Sequence, residues 1–522
     1  MTKRRRYPIG NHFFPEIREQ GFLYIDKTEY VYRMTHGDNK YLFLSRPRRF
    51  GKSLLTTTLK AYFEGRKELF AGLAIESLEE EWKQHPVLHF DMSQARSSDI
   101  TVIESMINNQ LIAYERIYGI DREGEATFND RFKGIIERAH RQAGRPVVVL
   151  VDEYDAPLLG VLHDEEKLRS FREVMQNFYS PLKASGQYLR FCFITGITKF
   201  SQLSIFSALN NITNISMMPE YAGICGITKE ELTAQMGEDI DALAGKTGMT
   251  REETLGKLVE YYDGYHFAWP SPDVFNPFSL LSAFSCGRIG AYWFGTGTPT
   301  YLIKMMRKFN VMPAQVGRED DVLDSSFDAP TETMTCITPL MYQSGYSTIK
   351  DYDQELGSYT LDIPNKEIRI GLMESLLPNY VQIPAKDGTT AVVRMYKALR
   401  GDDMDGALRE LQSFLESVPQ TDNTDYEGHY QQVLFIIFTL MGMYTDVEVR
   451  TSKGRIDLVM RTLTKLYIIE LKMNRDARAA LSQIDLRDYP ARFAACGLPL
   501  VKVGINFDKA KRNITDWLIQ PQ

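Results

Sequence analysis

Tyr41-Leu-Phe-Leu-Ser-Arg-Pro-Arg-Arg-Phe-Gly-Lys-Ser53 decides the fold of the first part of the chain. A short apolar strand runs into a basic turn, and the turn ends in Gly-Lys-Ser at the head of a helical stretch, 54–63. Strand, turn and helix in that order are the context a phosphate loop requires. Backbone N–H groups at the helix start can cradle phosphates. On this reading Gly51 gives the backbone room, Lys52 reaches the β- and γ-phosphates of ATP, and the Ser53 hydroxyl ligates magnesium. The usual pattern has glycine six places before the lysine, and Arg46 stands there instead. Arg46, Arg48 and Arg49 are candidates to touch phosphate. Arg48 and Arg49 could also serve a neighbouring copy as an arginine finger, so a homo-oligomer is compatible with the loop.

Working outward, Val147-Val-Val-Leu-Val151 reads as a strand buried on both faces, and Phe191-Cys-Phe-Ile-Thr195 repeats it. With Val87-Leu-His-Phe-Asp91 and the helical segments between them, these imply a parallel, doubly wound sheet. The second strand ends in Asp152-Glu153. A carboxylate at a strand's C-terminal end can hold the magnesium shell, and the next can orient a hydrolytic water. Asp152 takes the first role and Glu153 the second, while Thr195 is a candidate for the neighbourhood of the γ-phosphate. The expected domains are 1–215 for this sheet, 216–400 for a helical middle, and 401–522 for a second α/β domain. In the middle, a helix ending near Ser344-Gly345 is followed by two alternating segments. That is the outline of a winged helix.

The last part holds a second constellation. Asp457 lies in Gly454-Arg-Ile-Asp457, and Glu470 and Lys472 sit two apart in Leu466-Tyr-Ile-Ile-Glu-Leu-Lys472. A spacing of two in a strand puts both side chains on one face. Two carboxylates on adjacent strands can hold magnesium, which polarises a phosphodiester and lowers the pKa of an attacking water. Lys472 can then orient that water or stabilise developing charge. A surface Glu-Lys pair is the plainer alternative, and the apolar Tyr467-Ile-Ile run before Glu470 argues against it.

The segments Tyr24-Ile-Asp-Lys-Thr28, Arg46-Pro-Arg-Arg-Phe-Gly-Lys-Ser53, Val151-Asp-Glu-Tyr-Asp-Ala-Pro157 and Thr195-Gly-Ile-Thr-Lys-Phe-Ser201 resemble the AAA-ATPase-like family of bacterial proteins. So do Tyr262-Asp-Gly-Tyr-His-Phe267, Asn276-Pro-Phe278 and Thr296-Gly-Thr-Pro299. The resemblance accounts for Arg46, since Arg-Pro-Arg-Arg-Phe is that family's form of the loop. It also implies a C-terminal domain of the PD-(D/E)xK nuclease superfamily with a restriction-endonuclease-like α/β fold. Asp457, Glu470 and Lys472 are similar to that site. Glu427 matches an additional acidic position there, and Gln483 a commonly found glutamine, with Tyr489 just beyond.

Composition excludes several classes. A net charge of -7 is unlike a nucleic-acid coat, so DNA or RNA contact must come from local patches. No apolar run approaches the ~18 residues of a membrane span. The 5 cysteines are scattered, which fits a reducing, cytoplasmic setting without a disulfide framework. The 8 histidines form no zinc-ligand spacing. Asp263, His266 and Asn276 read as local turn or packing residues. The expected function is ATP binding and hydrolysis coupled to magnesium-dependent cutting of nucleic acid. The alternatives are a nucleotide-sensing switch whose C-terminal domain binds nucleic acid without cutting it, and a plain triphosphatase with a structural tail.

Overall fold

The computed structural model describes residues 5–94, 97–121, 124–199, 211–296, 300–331, 334–381, 385–418, 429–442, 446–452, 455–486 and 497–521. The chain divides into two compact units. One comprises Met1–Trp293, Thr300–Phe309 and Arg318–Asn365, the other Phe294–Pro299, Asn310–Gly317 and Lys366–Gln522. Residues 216–400 are thus shared between the units.

In the first unit, strands β1 (Tyr41–Ser45), β2 (Val87–Asp91), β3 (Val147–Asp152), β4 (Leu189–Gly196) and β5 (Thr213–Asn214) form one sheet. Its order is β2-β3-β4-β1-β5, and every pairing is parallel. All six residues of β3 are buried, as a strand covered on both faces requires. One cover is the helix Phe128–Ala143, which starts at a Thr127 capping box and ends at Gly144 in the left-handed region. Its Phe132 packs with Phe90 of β2 and with Phe178 of the helix Glu165–Tyr179.

Downstream, the helices Lys229–Gln235, Gly237–Thr247, Arg251–Tyr262 and Pro277–Cys286 enclose a separate apolar cluster around Leu232, Ile240, Leu258 and Leu280. The two-residue strands β6 (Ile227–Thr228) and β7 (Val274–Phe275) pair beside it. Next, β8 (Glu319–Val322), β9 (Thr348–Asp353) and β10 (Ser358–Asp362) make an antiparallel sheet in the order β8-β10-β9. The expected helix and hairpin are both here, the helix at Thr338–Ser344 and ending at Gly345. All seven residues of that helix are buried, so it is a core helix with no face to offer a groove.

The second unit carries a mixed sheet of β11 (Asp446–Ser452), β12 (Arg455–Arg461), β13 (Leu466–Met473), β14 (Leu500–Asp508) and β15 (Asn513–Pro521), in that order. Only β13 and β14 pair in parallel. The helix Ala477–Leu486 connects toward them and lies on the sheet. Gly504 makes this possible. A β-carbon there would sit 2.2 Å from the Ala477 carbonyl oxygen and 2.9 Å from the Leu481 nitrogen. The helix Met404–Ser417 fixes β15 through Gln412, which donates to the Ile514 carbonyl, and through Asp405, which accepts from the Trp517 indole. No helix among the described residues is long and apolar enough to cross a membrane.

Candidate functional site

The loop after β1 sits at the C-terminal edge of a parallel sheet, the edge at which such sheets bind ligands. Gly51 is left-handed (φ 97°) and starts the helix Lys52–Phe63. That helix has no side-chain cap and no acid in its first turn, leaving its N–H groups suited to an anion. Lys52 is buried, and its Nζ donates to the carbonyls of Arg46 (2.9 Å) and Pro47 (3.0 Å). Burial draws its pKa down, against the pull of Glu153, Asp152 and Asp155.

Those carboxylates come from the end of β3, although β4 separates β3 from β1. The Ser53 hydroxyl lies near enough to the Asp152 carboxylate to favour its charged form. One Asp152 oxygen, Oδ1, is buried and accepts no hydrogen bond among the described residues. Burial pushes the Asp152 pKa up to about 6, with Ser53 opposing. A hydroxyl beside a buried carboxylate with an unpartnered oxygen is a donor set that fits magnesium. Glu153 adopts φ 51°, in the left-handed region that is uncommon for a residue with a side chain.

Two assigned residues, Arg46 and Thr195, stand apart from this group. The Arg46 guanidinium is buried, donates to the carbonyls of Ser45, Ser216 and Tyr221, and stacks on Phe267 at 4.2 Å. It anchors the loop from inside. The Thr195 hydroxyl donates to the Leu44 carbonyl at 2.8 Å, tying β4 to β1. Arg49 is exposed over the Phe278 ring, while Arg48 lies part-buried near Tyr301. Asp155 is the residue that the motif contained and the reading left without a role. It accepts from the Ile197 and Thr198 nitrogens and the Thr198 hydroxyl, clamping the end of β3 to the end of β4. Its place among three acids within Asp152-Glu-Tyr-Asp155 was the available signal. Asn276 caps the helix Pro277–Cys286 and His266 pairs with Asp273, both local roles.

In the second unit, antiparallel register sets Asp457 of β12 directly opposite Glu470 of β13. Cβ atoms of such pairs lie ~4.5–5.5 Å apart. Both carboxylates are buried, at 8% and 1% exposure. Lys472 is on the same face as Glu470, its Nζ 3.8 Å from Glu470 Oε1. It also donates to Gln483 Oε1 at 2.8 Å, from the helix that Gly504 admits. Two adjacent buried carboxylates repel unless a cation lies between them, so the pair fits a divalent ion. Among the described residues no cluster of three or more His, Cys, Asp or Glu is assembled. Glu427 and Tyr489 lie outside the described residues.

The first unit therefore has the parallel sheet and loop of a P-loop NTPase, and the second a mixed sheet with a buried carboxylate pair. The family model described as "Predicted AAA-ATPase" matches residues 8–206, and that of the PD-(D/E)XK nuclease superfamily matches 425–517. A protein of Azotobacter chroococcum mcd 1, named "Uncharacterized protein in vnfD 5'region", is 34% identical over 541 residues, with 99% of each chain covered. The chain belongs to the AAA-ATPase-like family with a C-terminal PD-(D/E)XK nuclease-superfamily domain.

Proposed function

We propose that the protein binds and hydrolyses ATP and couples it to metal-dependent cleavage of DNA or RNA. The observation that carries the cutting role is the cross-strand pairing of Asp457 with Glu470 beside Lys472. A surface ion pair would not bury two carboxylates at neighbouring positions.

In the first unit, Lys52 exchanges its two loop carbonyls for β- and γ-phosphate oxygens. Gly51 and the first-turn N–H groups receive the phosphates, with Arg48 and Arg49 flanking them. Ser53 and Asp152 hold magnesium, and Glu153 orients the attacking water. In the second unit, Asp457 and Glu470 hold magnesium, with Glu427 as the further acidic residue that the resemblance implies. When bound, the ion supplies a Lewis acid for the scissile phosphate. Lys472, fixed by Gln483, holds the water or the developing negative charge. ATP, magnesium and nucleic acid are thus the ligands, and a cytoplasmic setting suits all three.

The test is cleavage of single- and double-stranded DNA and RNA with magnesium or manganese, with and without ATP. Cleavage that Glu470→Gln abolishes is expected. Nucleic-acid binding without cleavage under every condition would leave the switch reading in its place.

A further inference from the structure

A cavity of about 90 Å³ lies against the phosphate loop. Its wall combines Gly51 and Leu54 at the start of the loop helix with Ile25 and Lys27 from the segment before β1 and with Ile227 and Leu281 from the helical part of the same unit. The wall is mostly carbon. The volume is several times the ~10–15 Å³ that one water needs, which suits a flat heterocycle. Gly51 belongs to both the phosphate loop and this wall, so one ligand can occupy both.

Among the described residues, Lys27 is the one formally charged group in the wall. Its Nζ donates to both Glu231 oxygens, at 2.6 and 2.7 Å. Glu231 also accepts from the Thr228 nitrogen at the start of the helix Lys229–Gln235. Helix capping therefore fixes the carboxylate, and the carboxylate fixes the lysine. An ammonium has three donors, and Glu231 takes two.

We infer that this cavity is the nucleobase subsite and that Lys27, held by Glu231, sets its preference for adenine by donating its third hydrogen to a ring nitrogen. Guanine brings one more N–H donor on its pairing edge than adenine, and a carbon-rich wall leaves such a donor without an acceptor. The inference rests on the nucleotide reading of the Lys52 loop and adds the base to it.

Calorimetry with the full chain and magnesium compares ATP, GTP and inorganic tripolyphosphate. Wild type is expected to bind ATP at least about tenfold more tightly than the other two. Leu281→Trp, which fills the cavity away from the loop, should bring ATP down to the affinity of tripolyphosphate and leave tripolyphosphate unchanged. Retained tripolyphosphate binding shows that the variant folds. Lys27→Met made together with Glu231→Gln, which leaves no lone carboxylate, should shrink the ATP-to-GTP ratio to about one. The inference is overturned if wild type binds ATP no better than tripolyphosphate, or if both variants keep the wild-type ratios. If wild type binds neither ligand, the phosphate-loop reading fails and this inference goes with it.

Discussion

The two sites are held in different ways. The phosphate-loop site is assembled from strand ends, with Lys52 and Ser53 following β1, Asp152 and Glu153 at the end of β3, and β4 between them. Its parts meet through loop conformation. Lys52 is bonded to its own loop, and two residues with side chains, Arg49 and Glu153, are left-handed. The carboxylate site is fixed by register within one sheet, where Asp457 and Glu470 face each other because their strands pair. A site of strand ends can rearrange with its ligand, whereas a site of register is set once the sheet forms. Nucleotide is the natural variable and the carboxylates the constant part.

The largest effect should come from the constant part. Glu470→Gln and Asp457→Asn should each cut cleavage at least about a thousandfold, about 4 kcal/mol, and weaken magnesium binding in calorimetry. Lys472→Ala should reduce cleavage and spare magnesium binding. If all three variants lose metal binding alike with matching drops in melting temperature, the site is only a folding element.

Next is Lys52→Ala, which should weaken ATP binding on the order of a hundredfold, about 2.7 kcal/mol, and leave magnesium binding at the carboxylate pair untouched. Unchanged ATP affinity would remove the loop assignment. Glu153→Gln should keep ATP affinity and slow hydrolysis, and wild-type turnover would refute its role with the water.

A smaller effect concerns stability. Asp152 ionises near pH 6 in the fold against an ordinary 3.8, because burial disfavours its charge. The charged form therefore costs stability in full above about pH 6, and that cost fades as pH falls from 6 to about 4. Asp152→Asn should stabilise nucleotide-free protein at pH 8 by on the order of 2 kcal/mol, read as a higher melting temperature, with the gain shrinking as pH falls through 6. A gain that grows toward acid pH would refute this. The smallest expected change is for Gln483→Ala, about tenfold in cleavage rate at constant metal affinity. Metal affinity that falls along with the rate would count against its role through Lys472.

Sequence made the strands and the acids legible to different degrees. Val147-Val-Val-Leu-Val151 announced β3 because burial on both faces demands an apolar run. The spacing of Glu470 and Lys472 announced a shared face because strand period is two. Asp457 sits third in β12, since Arg455 and Ile456 extend the strand ahead of it. Strand β8, Glu-Asp-Asp-Val, has no apolar alternation and could not be recognised, as it is an edge strand with half-exposed residues. Strand order was hidden because nothing local specifies that β4 inserts between β1 and β3. Arg46 and Thr195 show a further limit. Residue type marks a group able to hydrogen-bond, while only tertiary structure tells whether the backbone has already claimed it.

The missing side chain at Gly504 gives the second unit a mechanical property. With main chain against main chain, the height of the helix Ala477–Leu486 above the sheet is set by the thickness of two backbones, with no adjustable rotamer between. Gln483 rides on that helix, so its reach to Lys472 is gauged from beneath. A single methyl at position 504 would act as a shim, tilting the glutamine out of register with the lysine while every reactive group kept its identity.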